Sequence, residues 1–154
     1  MEVLRRDTDY ALRAMVYLAG CYDKKITSVK QLSRAGKFSY HLGHKLLQKL
    51  SKAGLVKSYA GPKGGFALNK KPSEINLMEI IEVFQGGIRL NKCLVGNKGC
   101  EFEPECEINT KLFCLQMYID GYLGGITLEE ILRSQSKAKS KAKSCMATAR
   151  YEWL

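Results

Sequence analysis

TSVKQLSRAGKFSYHLGHKLLQKLSKAGLVKSYAGPKGGFALN, residues 27–69, switches from a helical to a strand period and so decides the fold. Ser28 with Gln31 three places on reads as a capping box, and Val29, Leu32 and Ala35 form a short apolar face that Gly36 ends. Ser39 is the next N-cap. Leu42, Leu46, Leu47 and Leu50 then recur at helical spacing, and Gly54 stops that helix as a left-handed residue. Beyond it Val56, Ser58 and Ala60 alternate with Lys57 and Tyr59, and Phe66 and Leu68 resume across GPKGG. That is a hairpin with a glycine-rich turn. Two helices followed by a basic-tipped hairpin predict a mainly α fold, a winged helix-turn-helix with a small β-hairpin wing.

Outward from this unit, residues 8–22 carry a broad apolar stripe (Ala11, Leu12, Met15, Val16, Leu18, Ala19) behind Asp7 or Thr8 as cap. NLMEIIEVFQGG is a further helix, capped by Asn76 with Glu79 and ended by Gly86 and Gly87. A long C-terminal helix follows, with Leu112, Leu115, Ile119 and Tyr122 as a seam that fits either a dimerisation helix or packing on its own domain. ITLEEIL restarts a helix, with Thr127 and Glu130 as capping box. The expected organisation is residues 1–88 as the winged unit, 89–107 as a cysteine-rich loop, 108–133 as the dimerisation helix and a short helix, and 134–154 as a basic, disordered tail.

The chain has 154 residues and a net charge of +10, distributed unevenly. Between Lys24 and Lys71 there are twelve Lys or Arg and no acid, whereas Glu101, Glu103, Glu105 and Glu107 gather in the cysteine loop. An acid-free block on a winged helix points to double-stranded DNA. Ser28, Lys37, Ser39, Tyr40, His41, His44 and Lys45, on or beside the two helices, and Lys63 at the wing tip, are the candidate contacts. Gly43 either allows close approach of DNA or a partner helix or is simply tolerated. No stretch approaches the ~20 apolar residues of a membrane span, and the N-terminus lacks a signal-peptide cleavage pattern, so a cytoplasmic protein is expected.

Cys93, Cys100 and Cys106 are spaced C-x6-C-x5-C. Structural zinc uses closer pairs. This loop is wide enough to wrap an iron–sulfur cluster of the 4Fe-4S or 2Fe-2S type, with a remaining ligand from outside it. Cys114 reads as a small buried hydrophobe, and Cys21 and Cys145 as core and tail residues. The four glutamates either lower the cluster's reduction potential or serve solubility.

On TDYALRAMVYLA, LLQKLSKAGLVKS, GPKGGFALNKKPSEINLMEIIEVFQGG, the three cysteines before a long helix, and ITLEEIL, the chain resembles the Rrf-type bacterial regulators over about residues 1–132. The resemblance implies a homodimeric winged-helix transcription factor with Cys93, Cys100 and Cys106 as cluster ligands. IscR-like members place a histidine three residues after the third cysteine, where this chain has Asn109. NsrR-like members use an N-terminal aspartate of the partner subunit, and that position matches Asp9. Ala60 stands where members often carry a basic residue, and Gly43 where they carry a larger apolar one.

The expected function is therefore a DNA-binding regulator whose cluster senses nitric oxide, redox or oxygen, or iron status. Two alternatives are a cluster-free thiol-redox regulator of the same fold, and a structural zinc protein binding RNA or a partner protein. An enzyme is not expected: both histidines lie on the DNA-reading helix, and there is no C-x-x-C, Walker loop or Ser/His/Asp set.

Overall fold

The structure is a computed structural model describing residues 3–22, 26–95 and 106–138. Its helices are α1 (Arg6–Gly20), α2 (Val29–Gly36), α3 (Tyr40–Lys52), α4 (Leu77–Gln85), α5 (Glu107–Gly125) and α6 (Leu128–Ala138). Strands β1 (Val56–Tyr59) and β2 (Gly65–Leu68) pair antiparallel, Val56 opposite Leu68 and Tyr59 opposite Gly65. The wing is thus the predicted hairpin. Thr27 joins it through a bridge to Phe66, with N–H···O distances of 2.8 and 2.9 Å.

The core is one cluster built on α1. Met15 and Leu18 pack with Leu32 of α2, with Leu46, Leu47 and Leu50 of α3, and with Ile80 of α4, all buried. Each such side chain stabilises the fold by about 1.5–3 kcal/mol. Leu128 closes the cluster from α6, held by backbone bonds Leu128 N–H to Ile75 and Leu77 N–H to Ile126, both 3.0 Å. Because α1 touches α2, α3, α4 and α6, displacing it would disturb the whole winged unit.

Local capping follows the sequence closely. Ser28 and Gln31, and Asn76 and Glu79, form reciprocal boxes. Ser39 Oγ accepts the Leu42 N–H, and Gly54 takes φ +74°. Two expectations, the α1 cap and the end of the last helix, are corrected. Neither Asp7 nor Thr8 caps α1, which starts at Arg6. Thr8 is instead buried, and its hydroxyl donates to Gln85 Oε1 at 2.8 Å. Gly36 is the last residue of α2, as predicted, and the left-handed residue that follows it is Lys37 (φ 54°). Gly36 is needed for space, since a Cβ there would strike the Phe38 ring. Gly43 has the same purpose: its Cβ would lie 2.7 Å from Phe38 and 3.0 Å from Ser33 Oγ, so it is where α3 approaches α2. Finally, α6 continues to Ala138, past the boundary expected at 133; residues 139–154, including Cys145, lie outside the described residues.

Candidate nucleic-acid interface and cysteine loop

Burial of Leu46, Leu47 and Leu50 turns the other side of α3 to solvent. Ser39, Tyr40, His41, Lys45, Gln48 and Lys52 are exposed there, and His44 is half-buried. A ladder of rings runs outward from the core: Phe66 to His44 (6.2 Å between centroids), His44 to Tyr40 (5.9 Å) and Tyr40 to His41 (6.0 Å). It fixes the start of α3 against the wing. Between them lies a cleft of ≈ 550 Å³ lined by Ser28, Lys30, Tyr40, His44, Tyr59 and the wing glycines, among others.

Of the predicted contacts, Ser28, Tyr40 and His44 therefore meet in one place, while Lys37, Ser39, His41, Lys45 and Lys63 are exposed outside the cleft lining. The Ser28 and Ser39 hydroxyls are already engaged in capping. Lys30 and Tyr59 were not predicted individually. Lys30 was visible only as one charge of the acid-free block, and Tyr59 only as the polar-side partner in the β1 alternation.

Cys93 sits half-buried on a 3-10 turn, Lys92–Val95. Cys106 is the N-cap of α5, and its Sγ accepts the Asn109 N–H at 3.4 Å. That arrangement brings partial positive charge to the sulfur. Both are free thiols, as are Cys21 and Cys114. Cys100 and the glutamates 101, 103 and 105 lie outside the described residues. Asp9 lies in the first turn of α1, its carboxylate held by Arg13 at 2.8 Å. Among the described residues no three His, Cys, Asp or Glu side chains come together as a metal site, so one chain does not unite Asp9 with Cys93 and Cys106. The donor set still suits an iron–sulfur cluster: two free thiols flank the loop, one of them at a helix N-terminus. Cys114 corrects the sequence reading, being exposed rather than buried.

α5 is unusual in what it hides. Gln116 is its buried residue, whereas Ile108, Leu115, Tyr118 and Tyr122 on one side and Phe113 and Met117 on another are exposed. The predicted seam splits: Leu112 and Ile119 are half-buried, and Leu115 and Tyr122 are exposed. A helix apolar around most of its circumference fits burial in an assembly. Among the described residues no helix is long and apolar enough to cross a membrane.

Comparison with known proteins is consistent with this geometry. The family whose pattern matches residues 4–134 is Rrf2, described as an iron-dependent transcriptional regulator. The HTH-type transcriptional regulator NsrR of Halalkalibacterium halodurans is 30% identical over 138 residues, covering 88% of this chain and 94% of that protein. The structure of T. potens IscR superposes with a TM-score of 0.71 at 26% identity, covering 94% of this chain and 95% of the other. CymR, the global cysteine regulator of B. subtilis, superposes with a TM-score of 0.71 at 27% identity, covering 85% and 96%. These relatives are regulators, not enzymes.

Proposed function

Since the chain belongs to the Rrf2 family of DNA-binding transcriptional regulators, we propose that it acts as a homodimer whose grip on promoter DNA is set by an iron–sulfur cluster. Cys93, Cys100 and Cys106 supply three ligands, and Asp9 of the partner subunit the fourth. The observation that carries this is the placement of Cys93 and Cys106: both are free thiols, one on the turn entering the loop and the other capping the helix that leaves it. When bound, the cluster supplies a tie sensitive to nitric oxide, oxygen or iron supply.

The chain's own residues do the rest. The exposed apolar side of α5 (Ile108, Leu115, Tyr118, Tyr122) pairs two copies. Asp9 exchanges Arg13 for the loop of the other copy, and α1 carries that constraint through Met15 and Leu18 into α3. A change in α1 then alters the spacing of the two α3 helices, so that half-sites fit one state better. Ser28, Lys37, Ser39, Tyr40, His41, His44, Lys45 and Lys63 form the DNA face.

Asp9→Ala tests the tie. It removes an exposed i,i+4 ion pair with a contribution to stability of only about 0.3–0.5 kcal/mol, so folding and metal-free DNA binding are expected to persist. Cluster lifetime in air should shorten, and the shift in promoter affinity on nitric oxide exposure should change. Fluorescence anisotropy with a labelled promoter fragment measures the second. Unchanged lifetime and unchanged response would remove Asp9 from the ligand set.

A further inference from the structure

Gln116 is 5% exposed on a helix where Ile108, Phe113, Leu115 and Met117 face solvent. A buried amide is costly unless its donors and acceptor are used. Here they are. Its Nε2 donates to the Ile88 carbonyl at 2.7 Å and to Asp120 Oδ1 at 2.8 Å, and its Oε1 accepts the Leu90 N–H at 3.0 Å. Asp120 in turn pairs with Arg89 at 3.5 Å. Three consecutive residues, Ile88 to Leu90, are therefore fastened to two consecutive turns of α5.

The fastened segment comes just after Gly86 and Gly87, whose φ values of 73° and 93° turn the chain out of α4 in the left-handed region, and just before Cys93. Leucine or isoleucine at 116 would pack as well but could not donate and accept at once. Cys106 caps the same helix. Both flanking cysteines are thus referred to α5, one through its cap and the other through this clip.

We propose that Gln116 is a positioning residue for Cys93: its clip on Ile88 and Leu90 holds the entrance of the cysteine loop on α5, at a set reach from Cys106. The role in cluster retention rests on the reading of these cysteines as ligands; the positioning itself does not.

Gln116→Leu keeps the bulk of the side chain and removes the clip. Asp120→Ala leaves Gln116 in place and removes one acceptor and the partner of Arg89. In metal-free full-length protein, amide exchange at Leu90 and iodoacetamide alkylation of Cys93, with Cys114 as internal reference, are expected to rise about tenfold to a hundredfold in Gln116→Leu. Asp120→Ala should move both in the same direction by less, and decides the matter if Gln116→Leu does not fold. In protein purified without oxygen, loss of the cluster's visible absorption to a chelator should be about tenfold faster in Gln116→Leu. Val29→Ala, a core truncation in α2, should lower the melting temperature yet leave Cys93 alkylation and cluster loss unchanged. A folded Gln116→Leu with wild-type Leu90 exchange and Cys93 alkylation would overturn the proposal. A wild-type protein without iron would instead defeat the cluster reading, and the exchange and alkylation rates would still judge Gln116.

Discussion

Cys106→Ser is expected to give a folded, colourless protein whose promoter affinity no longer responds to nitric oxide or air. Cys106 caps α5 and is the proposed third ligand, and the substitution separates the two. As N-cap of α5 its sulfur accepts the Asn109 N–H at 3.4 Å. Serine is among the preferred N-cap residues, so α5 should start as before and the melting temperature of metal-free protein should stay within about 2 °C of wild type. As ligand it should be much poorer, because the cluster takes thiolates. Iron and visible absorption should therefore fall to background, while DNA binding matches that of metal-free wild type. Cys114→Ser is the control: Cys114 is exposed along α5, and the variant should keep iron, colour and response. Full iron content in Cys106→Ser would contradict the ligand assignment.

The largest stability effect is expected at Gly65. Its backbone runs against Thr27 so closely that a Cβ would collide with the Thr27 carbonyl oxygen and lie 2.8 Å from its carbon. Those are backbone atoms that cannot swing aside. Gly65→Val should push β2 off Thr27 and break the bridge formed by Thr27 N–H to Phe66 O and Phe66 N–H to Thr27 O. Overpacking of this kind costs about 1–3 kcal/mol, and each lost hydrogen bond about 1 kcal/mol more. A total of roughly 3–5 kcal/mol is a large part of the 5–15 kcal/mol typical of a domain, and corresponds to a fall of about 10 °C in melting temperature. Phe66 supports His44 in the ring ladder, so DNA affinity should fall with it. Calorimetry showing wild-type melting would refute the close approach.

Features set by neighbours in sequence were legible without coordinates. The Ser28–Gln31 and Asn76–Glu79 boxes, the Ser39 cap, the αL glycine at 54 and the hairpin across GPKGG each depend on a few adjacent residues. What escaped depends on partners far along the chain. Gly43 and Gly65 are glycines because another segment passes close by, and no local pattern distinguishes that from tolerance. Thr8 looked like a cap because its role as donor to Gln85 spans 77 residues. Gln116 interrupts an apolar helix and would be placed outside by hydropathy, yet three hydrogen bonds draw it in. Of the candidate site, the loop cysteines stand out by their spacing as a possible ligand set, whereas Asp9 enters only through the family resemblance, since no contact among the described residues brings it to Cys93 or Cys106.

The most direct test of the cluster account is purification of the full chain without oxygen, with iron and acid-labile sulfide measured per chain and promoter affinity measured before and after cluster loss. Iron and sulfide in similar amounts, together with an affinity that changes when they leave, is the predicted result. Metal-free protein that binds its promoter and still answers the signal would contradict it, and would leave thiol oxidation on the same fold as the reading to pursue.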